Sequence, residues 1–281
     1  MTSHPLFFWT PAAIVFDCDG TLMDTERHWE DARDLTLRDF RLSPAEGFGA
    51  RSKGLHYTEC GQLMADESGR PELGGKLTER LLAHFRELVA ADPQTMPGAT
   101  ELVANAAKFA PLAVASNCPL DVVDMCLRTA NLRHHFDHIV VPGPDIRPKP
   151  HPDVYLTAAR LCGAAPADCL AVEDSACGIE AALRAGLHTM GVGPWPGEDL
   201  AATVDLWVAS LDDPHIFTWS SRPHSRPSGQ RQTVPPPAEE TVATGQFRWD
   251  LKEVTEDVAA EKSSAIPTAP GSGTPAARSP R

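Results

Sequence analysis

The stretch FDCDGTLMDTE, Phe16 to Glu26, closes the apolar run AAIVF and leads into acidic residues. A short apolar run bounded by turn residues reads as a buried strand. Gly20 then lets the backbone turn sharply where the strand stops. Side chains two apart on a strand leave on the same face, so Asp17 and Asp19 converge. Two carboxylates converging at a strand end make a hard-oxygen site suited to magnesium, and their mutual repulsion falls when a cation binds. Alone, the same letters also describe an Asp-Gly turn that does nothing but end a strand.

Outward from this stretch the pattern repeats. The runs LAVAS ending at Ser116, HIVV near Val140, CLAV ending at Val172 and HTMGV ending at Val192 alternate with helical patterns from Gly98 to Phe109, Leu120 to Thr129, Val154 to Leu161 and Ala176 to Ala185. Such alternation predicts a Rossmann-like α/β core, a parallel sheet with helices on both faces, built from residues 1–23 and 94–213. Gly163 and Gly186 fall where helix C-termini favour a left-handed residue. Residues 24–93 show helical periodicity and no strand, and a crossover of that length should be a domain of its own. It is expected to be a helical cap over the carboxyl edge of the sheet, where open α/β folds bind ligands.

Residues 214–281 are rich in Pro, Ser, Thr, Gly and Gln and poor in core-forming side chains, which predicts a disordered tail. Within it, GQFRWDLKEVTEDVAAEK at 245–262 has the apolar spacing of a short amphipathic helix that a protein partner would order. The 281 residues are enough for one buried core plus a cap. A net charge of −13 opposes nucleic acid and anionic membranes, so any phosphate site must gather its own positive charge. The seven cysteines are odd in number and scattered without a C-x-x-C pair, which predicts a reduced, cytoplasmic setting. No apolar run reaches the roughly 20 residues needed to span a bilayer.

Further candidates follow the other strands. Ser116 and Asn117 come after LAVAS, Lys149 lies in RPKPHPDVY, and Glu173 and Asp174 open AVEDSACGIEAALRAG. Singly these are a helix cap, a surface lysine and an acidic cap. In this order, each at a strand end, they resemble the four motifs of the haloacid dehalogenase-like superfamily. The resemblance implies that Asp17 is a nucleophile forming an aspartyl-phosphate and that Asp19 is its acid/base partner. It implies phosphate contacts from Thr21, Ser116, Asn117 and Lys149, with Ser116 and Lys149 also serving catalysis, and a Mg2+ held by Asp17, by Asp19 through its backbone carbonyl, by Asp174, and by Glu173 directly or through water. Dehalogenating relatives lack the second aspartate, so Asp19 points to phosphoryl transfer.

Motif order and the early helical cap look similar to the branch of β-phosphoglucomutases and sugar-phosphate phosphatases. That similarity implies hydrolysis of a small phosphorylated metabolite, such as a sugar phosphate or phosphoglycolate, with Glu26, Trp29, Lys53 and His56 facing it from the cap. The mutase alternative needs an anion clamp on the cap. Tyr57 stands three residues after Gly54 where the mutase has an arginine, and Trp29 takes the place of its cap histidine, with His28 one residue early. Arg51, Lys53 or His56 remain candidates for the clamp. A third reading, a degenerate scaffold presenting its tail to a protein, is opposed by the completeness of the set Asp17, Asp19, Ser116, Lys149 and Asp174.

Overall fold

Every residue of β1 (Ala13–Phe16) is buried, as expected of a strand covered on both faces. Period-two alternation divides it between two cores. Ile14 and Phe16 enter the larger cluster, Ala13 and Val15 the smaller one across the sheet. In the computed structural model, which describes residues 4–224, β1 is followed by α1 (Glu26–Phe40), α2 (Phe48–Ser52), α3 (Tyr57–Glu67), α4 (Gly74–Ala91) and α5 (Ala99–Ala106). The core then continues as β2 (Leu112–Ala115), α6 (Leu120–Thr129), β3 (His138–Val140), α7 (Asp153–Leu161), β4 (Cys169–Glu173), α8 (Ala176–Ala185) and β5 (His188–Val192). It closes with α9 (Glu198–Ala201), β6 (Leu206–Val208) and α10 (Pro214–Ser221).

All six strands are parallel, in the order β3-β2-β1-β4-β5-β6. The order reverses between β1 and β4, so the crevice beyond their carboxyl ends is the ligand-binding switch point of a doubly wound sheet. Asp17, Ser116 and Asp174 directly follow β1, β2 and β4. The chain from Glu26 to Ala91 is helical, with α4 packed along α1 and α3. The crossing of α3 and α4 is tight, since a Cβ on Gly61 would stand 2.1 Å from Thr78 Oγ1. Trp29 of α1 stacks on Phe85 of α4 with ring centroids 3.6 Å apart.

Three elements escape the sequence pattern: the four-residue helix α9, the strand β6 and the helix α10. The strand β6 is three residues long, too short to show a period. It is secured by the Trp207 Nε1–H donating to Gly193 O at 3.0 Å, with the indole lying over Gly191. The helix α10 begins at Pro214, where composition predicts a tail. Asp213 caps it by accepting from the His215 N–H, Ile216 and Trp219 are buried, and Trp219 Nε1–H donates to Trp9 O at 3.1 Å. Composition averaged over a long window conceals these two apolar residues among polar neighbours. The segment 245–262 lies outside the described residues. No helix among those described is long and apolar enough to cross a membrane. Replacing Trp219 with Ala should cost about 3–5 kcal/mol in urea unfolding; a loss below about 1 kcal/mol would show that α10 does not belong to the folded core.

Candidate active site

The backbone carries the first carboxylates to the sheet edge. Asp17 N–H continues the ladder to Val172 O at 2.9 Å, and Gly20, with φ +83°, turns the chain so that its N–H reaches Met23 O at 2.8 Å. A side chain at Gly20 would stand 2.5 Å from Asp174 Oδ2. Asp17 and Asp19 leave the turn toward different partners. Asp17 Oδ1 accepts from Lys149 Nζ at 2.5 Å, while Asp19 accepts from Thr25 Oγ1 at 2.6 Å and Ser116 Oγ at 3.2 Å.

Lys149 also donates to Glu173 Oε1 at 2.6 Å, so one buried ammonium joins two carboxylates. Both Glu173 oxygens are saturated. Oε1 additionally accepts from Tyr155 Oη at 3.0 Å, and Oε2 accepts from the N–H groups of Asp174 and Ser175 and the Ser175 hydroxyl at 3.0–3.1 Å. Asn117 fixes the lysine loop by accepting from Lys149 N–H at 2.8 Å and donating to Lys149 O at 3.2 Å. The same amide reaches the cap at Gly54 O, 3.3 Å away. From the cap, Lys53 Nζ pairs with Asp174 Oδ2 at 3.0 Å.

Electrostatics set this cluster apart. Burial disfavours a charged Lys149, yet Asp17 and Glu173 outweigh it and hold its pKa well above the ordinary lysine value. Burial, with the neighbouring carboxylates, pushes Asp17 above the usual range against the pull of Lys149. Asp174 is pushed up to about 6 by burial and Glu173, with Lys53 opposing. Asp19 is raised by burial, with the Thr25 and Ser116 hydrogen bonds acting in the other direction. Glu26 rises to about 7, through burial and then Asp174.

Asp17, Glu173 and Asp174 each offer an oxygen within 4.8 Å of the others. Hard oxygens in a buried, under-neutralised cluster fit a divalent cation such as magnesium. Asp19 is outside this trio, its carboxylate turned to Thr25 and Ser116. Glu173 has no free lone-pair direction left after its hydrogen bonds, which leaves Asp17 and Asp174 as the available side-chain donors.

The cavity between cap and core is lined by Asp17, Asp19, Ser116, Asn117, Lys149 and Asp174 on the core side and by Glu26, Trp29, Arg33, Tyr57 and Cys60 on the cap side. Of the cap residues expected from sequence, Glu26 and Trp29 line it, and Lys53 sits at its edge on Asp174. His56 does not; its Nδ1 lies 2.7 Å from Thr58 Oγ1 and its ring lies against Tyr57. Thr21 is buried outside the lining, its hydroxyl without a partner among the described residues. His28 faces away too, with Nε2 3.0 Å from Asp92 O.

Sequence reasoning missed Thr25, Tyr155 and Arg33. Thr25 and Tyr155 lie inside the quoted segments MDTE and RPKPHPDVY, but nothing in spacing alone shows that their hydroxyls turn to Asp19 and Glu173.

The haloacid dehalogenase-like hydrolase family matches residues 11–186. The chain belongs to this family. A probable pseudouridine-5'-phosphatase of Drosophila melanogaster is 31% identical over 209 residues, covering 71% of this chain and 89% of that protein. Hexitol phosphatase A of Escherichia coli is 29% identical, covering 71% and 91%. The solved β-phosphoglucomutase of Clostridium difficile shares the fold, with a TM-score of 0.66 at 20% identity over 75% of this chain and 97% of that one. Within the family the chain stands close to the branch of β-phosphoglucomutases and sugar phosphatases, and it is a phosphatase, a phosphoric monoester hydrolase.

A Cβ on Gly178 would stand 1.6 Å from Glu173 Oε1, so this helix position must stay bare for Glu173 to keep its place. Gly178→Ala is therefore expected to lower stability by about 1–3 kcal/mol through overpacking. An unchanged urea midpoint would mean that Glu173 relocates freely.

Proposed function

We propose that this enzyme hydrolyses a small phosphorylated metabolite, a sugar phosphate or a phosphoglycolate-like monoester, through an aspartyl-phosphate on Asp17. The observation that carries the reading is the division of labour between the paired aspartates. Asp17 is held by Lys149, while Asp19 is held 2.6 and 3.2 Å from two hydroxyls with a raised pKa.

Asp17 Oδ attacks phosphorus and the ester bond to the leaving oxygen breaks. Asp19, protonated at the start, gives its proton to that oxygen, and later takes a proton from the water that attacks the acyl phosphate. Lys149 compensates charge on the phosphoryl oxygens as the transition state forms, and Ser116 and Asn117 orient them. A magnesium ion held by Asp17 and Asp174, with Glu173 keeping Lys149 and the helix start in place, would supply Lewis-acid polarisation of the phosphoryl group.

The cavity lies between cap and core, and closure of the cap over a bound substrate would exclude bulk water. Phosphatase action on a pseudouridine phosphate and on hexitol phosphates, as the relatives are named, supports a small-metabolite substrate. Of the mutase-clamp candidates read from the sequence, Arg51 is engaged by Glu67, Lys53 by Asp174, and His56 does not line the cavity. Seven unpaired cysteines fit a reducing, cytoplasmic location. Completeness of the acidic set counts against a purely scaffolding role.

Phosphate release from a panel of small phosphate monoesters should require magnesium, stop on chelation and return on adding the metal. Asp17→Asn should lower it at least about a thousandfold and abolish the trapped phosphoenzyme. Comparable release from wild type and this variant would overturn the nucleophile assignment. Asp19→Ala should lose about 10²–10⁴-fold in turnover, the range of a general acid/base, while its magnesium affinity by calorimetry stays within about threefold of wild type, because Asp19 is outside the acidic trio. A variant that bound no magnesium would instead make Asp19 a ligand.

A further inference from the structure

Arg33 lies in the middle of α1 with only 7% of its surface exposed. Helical spacing puts Glu26, Trp29 and Arg33 on one face of α1, and all three line the cavity. Tyr57 and Cys60 of α3 join them there. Yet no carboxylate forms an ion pair with the Arg33 guanidinium among the described residues; its hydrogen-bonding partner is the Cys60 thiol. The charged and titratable groups nearest to it are Glu26 on its own helix and Cys60 across from it, both of which feel its charge. A guanidinium carries five N–H donors and no acceptor, and one thiol leaves most of them free for an anion in the cavity.

The other cations near the site are already committed. Lys149 holds Asp17 and Glu173, Lys53 holds Asp174, and Arg51 holds Glu67 away from the cavity. The scissile phosphoryl group is thereby served from the core side, and one buried cation faces the cavity from the cap without an anionic partner. A planar fork of donors matches a carboxylate or a phosphate with two parallel hydrogen bonds.

We propose that Arg33 is a specificity residue that binds a second anionic group, a carboxylate or a second phosphate, at the end of the substrate away from the scissile phosphoryl group. The inference rests on the phosphatase reading above and narrows it to small phosphate monoesters carrying two anionic groups. A substrate with an uncharged far end leaves the fork unpaired, and a site built around a buried polar partner discriminates against the analogue that lacks it.

The test is steady-state phosphate release by the full chain with magnesium on matched pairs: 3-phosphoglycerate against glycerol 3-phosphate, 6-phosphogluconate against sorbitol 6-phosphate, and fructose 1,6-bisphosphate against fructose 6-phosphate. Wild type should favour the anionic member by at least about tenfold in kcat/KM in one kind of pair. The first two pairs point to a carboxylate and the third to a phosphate.

In Arg33→Met that ratio should fall by about 10- to 100-fold, chiefly through KM, and Arg33→Lys should fall between the two. A wild type without anionic preference, or a variant that keeps the wild-type ratio, overturns the proposal and leaves Arg33 a packing residue. Should Arg33→Met melt below the assay temperature, the wild-type ratios and Arg33→Lys decide the matter. Silence on every pair, with Asp17→Asn no different, would instead overturn the phosphatase reading; magnesium-dependent release without anionic preference overturns only this one.

Discussion

The ammonium of Lys149 touches Asp17 and Glu173 at once, and all three side chains are buried. Withdrawing three charges from water is tolerated only when each is paired and its remaining hydrogen-bonding capacity is used, and removing one partner of such a group typically costs about 3–5 kcal/mol. The fold meets that demand from three directions. One carboxylate comes from the end of β1, the other from β4 beside it, and the lysine from the loop that follows β3. Tyr155, Ser175 and two backbone N–H groups then fill the lone pairs of Glu173, and the bare backbone of Gly178 gives that carboxylate its space.

This arrangement leaves negative charge in surplus on the floor of the cavity. Burial first, and then the neighbouring carboxylates, hold the Asp17 and Asp174 carboxyl groups above the usual range, and a divalent cation suits such a place. The cap contributes Lys53 to Asp174, but the lysine is 45% exposed, and ion pairs of that kind are worth about 0–1 kcal/mol. Together with the Asn117 amide reaching Gly54 O, it ties the cap to the core. Trp29 and Arg33 both stand on α1 and line the cavity from the cap.

Much of this was legible in the letters alone. The run Ala13–Phe16 and its four counterparts announced a parallel sheet, because a strand buried on both faces must be apolar throughout. Asp17, Asp19, Ser116, Glu173 and Asp174 were marked by their position at strand ends and Lys149 by its place in the ordered series of motifs, although it lies in the loop nine residues beyond β3, and the structure gathers all of them at one sheet edge. Boundaries were less legible: β6 is shorter than any period, and α10 carries two buried side chains in a stretch whose average composition is that of a tail.

Sequence by itself determined the order of the strands and helices and the residues at the strand ends, since alternation and period are local properties of the chain. Only the tertiary structure decided how those residues divide the work. That Glu173 is saturated while Asp174 has only Lys53, that Asp19 turns to Thr25 and Ser116 rather than joining the acidic trio, that His56 faces away and Arg33 faces in, all depend on groups distant in sequence meeting in space. Hydrogen bonds and charge pairs act over a few ångströms, and the spacing of letters in a chain does not record which distant groups fall within that range.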